Sequence, residues 1–275
     1  MSETKLILDL DYMHDLAKNI KASNSEKDVH DGLKYALQFY DIINFEFKYG
    51  RSFLRARVAQ DEQGFKSTSE IYYPPHHVAN VGRVNDKGSP FLYLSLTMDV
   101  ALAEVGAQEG DIVQISAFKP KSKPIRLGII GEKYKASRGT SSFLPRETTE
   151  VLSSLVNKLE KEDRKKAMAY LYPDMFFDDL MTDKKASEFN YIHSRALARL
   201  MLDKQRTLDG LLYHSVASFG GTNVALPCDK ADSLLGLEYT FLIKVKRAYD
   251  YGLYDVEVLK RPREIQQDGT IVWHL

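Results

Sequence analysis

Six residues stand out by type and order: Arg55 within Phe53-Leu-Arg-Ala-Arg-Val58, Arg83 within Gly82-Arg-Val-Asn85, Tyr93 ten residues later, Glu104 closing Ala101-Leu-Ala-Glu104, Ser215 closing Asp209-Gly-Leu-Leu-Tyr-His-Ser215, and Asn223 after Gly220-Gly-Thr222. Planar guanidinium groups bind phosphate oxygens through paired, charge-assisted hydrogen bonds that lysine does not reproduce. A fixed carboxylate opposite a sugar carbon helps break a glycosidic bond, because that step builds positive charge on the sugar. An aromatic face attracts a cationic ring by about 0.5–2 kcal/mol. Each residue taken singly has a plainer reading. A glutamate in a short amphipathic helix is usually solvated, a turn arginine usually pairs weakly with a surface carboxylate, and Ser215 ends a strand. Arg57 shares the strand face of Arg55, so the alternation alone leaves open which of the two meets a phosphate.

Other chemistries find no support in the chain. There is no Gly-x-Gly-x-x-Gly after a strand, no Walker loop, no HExxH, no EF-hand loop and no Gly-x-Ser-x-Gly elbow. The His76-His77 and Asp178-Asp179 pairs lack a clear third ligand, and neighbours on a strand face opposite ways, so no metal site and no resident cofactor are expected. Gly128-Ile-Ile-Gly131 has the glycines of a KH-domain loop without its context and reads as a strand end.

The elements that must position the six residues follow from periodicity. Leu10, Met13, Ala17 and Ile20 predict one amphipathic helix; Ser25-Glu-Lys-Asp28 resembles a capping box that opens a second, carrying Val29, Leu33, Leu37 and Tyr40. From Phe45 the period becomes two, and Leu54, Ala56 and Val58 alternate with Arg55 and Arg57. A loop through Pro74-Pro75-His76-His77 runs to Gly82–Gly88, then a strand is predicted at Phe91–Ser95 and a helix at Met98–Gly106 with Thr97 as its cap. Strands follow at Ile112–Phe118 and Ile125–Ile130. The stretch from Lys133 to Lys185 reads as a charged helical insertion, with Val151, Leu155 and Leu159 on one stripe and Glu160–Lys166 on a solvated face. A helix over Glu188–Lys204 with Phe189, Ile192, Ala196 and Leu200 inward, strands at Gly210–Ser215 and Asn223–Leu226, and a hairpin of Leu237–Val245 with Leu253–Leu259 complete the chain.

At 275 residues the chain is long enough for a substantial core, and 44% hydrophobic with 28% charged residues is ordinary for a globular protein. Lys plus Arg and Asp plus Glu both number 38, so the net charge is zero and the footprint of a dedicated nucleic-acid binder is missing. The single cysteine, Cys228, excludes an internal disulfide. No leader pattern and no run of about 18 apolar residues is present, so a cytoplasmic protein without a membrane segment is expected.

The runs FLRAR, GRVNDKGSPFLYLSLTMDVALAEV and LDGLLYHS, with GGTN after them, resemble in order and spacing the RES-domain family, named for its Arg, Glu and Ser. The resemblance covers roughly Phe53 to Leu226 outside the insertion. It implies a mixed α/β fold similar to ADP-ribosyltransferases, with a twisted sheet core, surrounding helices and a helical insertion. The expected organisation is an N-terminal helical extension over 1–45, a RES-type domain over 46–247 with the insertion at about 133–187, and a C-terminal strand segment over 248–275 completing the same domain.

The implied activity is degradation of NAD at the nicotinamide N-glycosidic bond by hydrolysis or phosphorolysis, as the toxin of a pair whose antitoxin carries an Xre-type DNA-binding domain. Protein mono-ADP-ribosylation and a non-catalytic binding module are the alternatives. NAD is then a substrate, with inorganic phosphate a possible co-substrate. By the same resemblance Arg55 and Arg83 hold the phosphates, Tyr93 packs on the nicotinamide side, Glu104 is the catalytic carboxylate, and Ser215, with Asn223 as a further candidate, lines the nicotinamide pocket. Val84 stands where the family usually has an aromatic residue, and Ser215 lacks the basic residue often seen after it. No direct nucleic-acid contact is implied, and self-association is left open.

Overall fold

The computed structural model of the chain describes residues 7–47, 50, 52–141 and 144–274. Residues 1–6 of the expected extension lie outside them. In chain order the helices and strands begin with α1 (Leu10–Ala22), α2 (Glu26–Gln38), β1 (Ile43–Phe47), β2 (Phe53–Val58), α3 (Thr68–Ile71), β3 (Phe91–Ser95) and α4 (Met98–Glu104). They continue with β4 (Ile112–Pro120), β5 (Ile125–Ile129), α5 (Lys133–Ser137), α6 (Arg146–Glu162), α7 (Arg164–Thr182), α8 (Ile192–Lys204) and β6 (Gly210–His214). The last are β7 (Thr222–Pro227), α9 (Cys228–Leu234), β8 (Leu235–Tyr249), β9 (Leu253–Lys260), β10 (Pro262–Ile265) and β11 (Ile271–Trp273). The fold is thus mixed α/β, as expected. No helix among the described residues is long and apolar enough to cross a membrane.

The chain forms two compact units. One comprises residues up to 45 together with 81–86 and 126–213; the other comprises 46–80, 87–125 and 214 onward.

The first unit is mainly helical. Asp9 caps α1 by accepting from the Asp11 and Tyr12 amides, and the helix buries Met13, Ala17 and Ile20 as its period predicts. Ser25 caps α2 by accepting from the Asp28 amide. The two helices pack so closely that a Cβ on Gly32 would lie 2.7 Å from the Ile20 side chain. Strands β5 and β6 pair in parallel, with Leu127 opposite Gly210 and Ile129 opposite Leu212. All five β6 residues are buried, as parallel strands usually are. Fully buried Asp174 of α7 organises this unit: its carboxylate accepts from the Tyr40 hydroxyl at 2.6 Å and from the Lys133 and Gly131 amides at 2.7 and 3.3 Å. The Lys133 ammonium lies 3.8 Å from the centre of the Tyr40 ring.

Three expectations for this unit need correction. Val151 is two-thirds exposed, so the buried stripe of α6 runs through Leu155 and Leu159 as expected but takes in Val156 rather than Val151. The Glu160–Lys166 run is not one helix face, because Asp163 is extended, ends α6 and caps α7 through the Lys165 amide. The helix expected from Glu188 starts at Ile192, after a 3-10 turn over Ala186–Phe189 and two left-handed residues, Asn190 and Tyr191. That reversal turns Phe189 outward and puts Leu197 and Ala198 inside, with Ala196 only partly covered.

The second unit holds six antiparallel strands in the order β7-β3-β2-β4-β8-β9, and a separate β10-β11 pair. Register places Leu54 opposite Ser95, Arg55 opposite Ser116, and Ser95 opposite Asn223. The expected hairpin is β8 with β9. Thr97 caps α4 through the Val100 amide, and Ala101 and Leu102 of α4 pack with Ala56, Val113, Ile115, Ile243 and Val245. Helix α4 is thereby anchored over the middle of these strands by its apolar side.

Candidate active site

Glu104 is the last residue of α4, and Gly106 follows with φ 64°, a left-handed conformation that favours glycine and suits a helix end. A carboxylate there meets the negative end of the peptide dipoles, so its placement depends on donors from elsewhere in the unit. Two are present. The Ser215 hydroxyl donates to Glu104 Oε1 at 2.6 Å and the Asn223 amide donates to the same oxygen at 2.5 Å.

Both donors are themselves held. Ser215 Oγ accepts from the Ala217 and Ser218 amides at 3.1 and 3.0 Å, which leaves its proton for Glu104. Asn223 Oδ1 accepts from the Ser95 hydroxyl at 2.9 Å, which orients the amide so that its nitrogen faces Glu104. Ser95 and Asn223 are buried, opposite each other on β3 and β7, so strand register fixes the pair. Glu104 Oε2 has no partner among the described residues, and Glu104 is exposed to solvent. One oxygen is anchored and the other is free to meet a ligand.

Arg55, Tyr93, Ser95, Glu104 and Asn223 line a cavity of about 250 Å³. Arg55 donates from Nη1 to the Tyr93 carbonyl at 3.1 Å, while its Nε is buried without a partner. Burial lowers its pKa to about 10, with the nearby charge of Arg57 acting in the same direction. It remains a cation at neutral pH, without a carboxylate partner among the described residues. Arg57 stacks over Phe65 at 4.6 Å, so of the two arginines on this strand face only Arg55 lines the cavity.

Arg83 belongs to the helical unit, where Nη1 donates to the Met181 and Asp183 carbonyls. Val84 beside it is buried at 2% exposure. A larger cavity, about 550 Å³, is lined wholly by the helical unit, including Val156, Met168, Leu171 and Met175. It contains none of the six candidates. Volume is the weaker guide here, because the smaller cavity holds the oriented carboxylate and the half-buried cation. Among the described residues no group of three or more His, Cys, Asp or Glu is placed to hold a metal ion.

The structure thus brings Glu104, Ser215 and Asn223 into hydrogen-bonded contact and sets Arg55 and Tyr93 in the cavity with Glu104 and Asn223. It adds Ser95, which sequence reasoning missed. The only local signal for Ser95 is one small polar residue ending an apolar strand; its role depends on a partner 128 residues away.

No curated protein matches the chain. The family model of the RES domain matches residues 55–239, more than half of the chain and a span that contains all six candidates. The chain belongs to the RES domain family.

Proposed function

We propose that this protein degrades NAD by breaking the bond between nicotinamide and ribose. The observation that carries the reading is the Glu104 carboxylate, anchored through Oε1 by Ser215 and Asn223 and open at Oε2, beside a half-buried cation without a counter-ion among the described residues. In the reaction the C1′–N bond electrons leave with nicotinamide, which departs as a neutral molecule and needs no general acid. Positive charge then builds on the ribose, where a fixed carboxylate that accepts from a ribose hydroxyl lowers the barrier. Water captures the sugar to give ADP-ribose and a proton, or inorganic phosphate captures it to give the sugar phosphate.

Arg55 suits a phosphate of the dinucleotide, because an anion would neutralise a guanidinium that the protein leaves unpaired. Tyr93 offers its ring to the pyridinium. The family pattern assigns Arg83 a phosphate contact as well. The 250 Å³ cavity is below the roughly 300–1,000 Å³ of sites that enclose a drug-sized ligand, so it suits one end of a dinucleotide. In a cell this activity makes the protein a toxin, restrained by an antitoxin that covers the cavity.

The test is nicotinamide release from NAD by the purified protein, with and without inorganic phosphate, against Glu104→Gln. Release that depends on Glu104 supports cleavage, and a phosphate requirement separates phosphorolysis from hydrolysis. Label from NAD that remains on an added protein marks transfer instead. No release from a folded sample overturns the reading.

A further inference from the structure

We propose that the cavity of about 550 Å³ in the helical unit binds an amphipathic monoanion, a medium-length alkyl chain that ends in a carboxylate. The site lies wholly within that unit and is independent of the function proposed above. Apart from Leu10, Asp11 and His14 of α1, all of its lining lies between residues 134 and 175, so the segment from Lys133 to Lys185 builds most of it.

The apolar part follows from how the helices meet. Extended Asp163 separates α6 from α7, and the two pack against each other, with α5 against both and α1 against α7. Ala167, Leu171 and Met175 recur every fourth residue and Met168 stands three before Leu171, so α7 turns one apolar stripe to this space. Val156 and Ala167 are buried, whereas Met168 and Met175 stay 43% and 50% exposed. Large apolar side chains left in water beside a buried apolar floor gain by being covered, and flexible thioethers close around an irregular chain. The volume falls within the roughly 300–1,000 Å³ of sites that enclose a small molecule.

The charged lining fixes the sign of the head group. Helix α7 opens with Arg164, Lys165 and Lys166 and has no carboxylate in its first turn, so three cations meet the positive end of the helix dipole. Lys165 pairs with Asp9 and Asp11, and Lys166 with Glu162, but Arg164 has no carboxylate partner among the described residues. Arg138, just past α5, stacks on Tyr134 with Cζ 5.6 Å from the ring centre and has no carboxylate partner among them either. Both arginines line the cavity, together with Glu160 and Asp11. Asp11 is neutralised by Lys165 at 2.5 Å, and His14 is engaged through Nδ1 with the Tyr172 hydroxyl at 2.9 Å. Two guanidinium groups therefore stand against Glu160 alone. The excess is one positive charge, which one carboxylate balances through the charge-assisted hydrogen bonds that guanidinium groups make.

The test titrates decanoate, below its micelle concentration, into the full chain labelled isotopically at its methionine methyl groups. The NMR signals of Met168 and Met175 should shift and saturate as for a single site, while that of Met98, in the other unit, stays in place. Octanoate, two methylenes shorter, should bind about tenfold more weakly. Arg138→Gln combined with Arg164→Gln should weaken decanoate by about tenfold or more and leave decanol unchanged. Decyltrimethylammonium, the same chain with the opposite charge, should not saturate the site. Both arginines are exposed, so the double variant should melt as wild type does; should it not fold, decanoate against decyltrimethylammonium on wild type decides alone. Equal binding of those two, shifts that never saturate, or full affinity in the folded double variant overturns the proposal. So does a dimer that decanoate dissociates, seen by light scattering, because the apolar face then belongs to a second copy.

Discussion

At the scale of single residues, Arg55 is a group whose cost to the empty protein points to its use. Burial lowers its pKa to about 10, with Arg57 adding to the effect. The native state therefore releases this proton near pH 10 while the unfolded chain holds it to a higher pH. The destabilisation is present in full below pH 10 and fades as pH rises between the two values. Arg55→Met should stabilise the ligand-free protein by about 1–4 kcal/mol, the range found when buried ionic groups are exchanged for apolar ones of similar volume. It should also abolish stabilisation by ADP-ribose, and in wild type that stabilisation should weaken above pH 10. Thermal melts with and without ADP-ribose at pH 7 and pH 10.5 check all three; a less stable Arg55→Met that still responds to ADP-ribose contradicts the role. Ser215 acts on the carboxylate instead. Ser215→Ala removes one charge-assisted hydrogen bond worth about 1.5–3 kcal/mol, so kcat for NAD cleavage should fall about ten- to a hundredfold with KM little changed. An equal rise in KM at constant kcat would make Ser215 a binding residue only.

At the scale of elements, Asp174 is the counterpart of Arg55, a buried charge whose partners are already supplied. Burial raises its pKa, opposed by the Tyr40 hydroxyl, the Lys133 charge and the amides of Lys133 and Gly131. Asp174→Ala leaves the Tyr40 hydroxyl and the two buried amides without this acceptor, so unfolding by urea should show a loss of about 3–5 kcal/mol; a loss under 1 kcal/mol would mean that water enters and replaces the carboxylate. The same contrast shows what a sequence discloses. Strands β2 and β3 and helix α4 were legible because alternation, Thr97 as a cap and Gly106 past the end are local signals, and they set Arg55, Tyr93 and Glu104 on their elements. The start of α8 was not, because the left-handed pair Asn190-Tyr191 breaks a run whose apolar spacing looks continuous. Nor were the hydroxyl of Ser95 on Asn223 and the carbonyl of Met181 on Arg83 legible. They depend on strand register and on a helix terminus, across 128 and 98 residues of chain respectively.

At the scale of the whole molecule, a net charge of zero provides no long-range field to gather or steer an anionic substrate. Under the proposed function, recognition then falls on the local cation in the cavity. If NAD cleavage is the biological act, its consequence is decided by turnover rather than by capture. Expression in bacterial cells without a protective partner should lower NAD before growth slows. Glu104→Gln, expressed to the same level and still able to bind, should leave both unchanged, because losing one transition-state contact of this kind costs about a hundredfold or more in rate. Time courses of NAD content and optical density separate the cases. NAD loss that follows arrest would make depletion a symptom, and arrest by Glu104→Gln would trace toxicity to binding. NAD loss that comes first and requires Glu104 makes the anchored carboxylate on α4 the point through which the entire molecule acts.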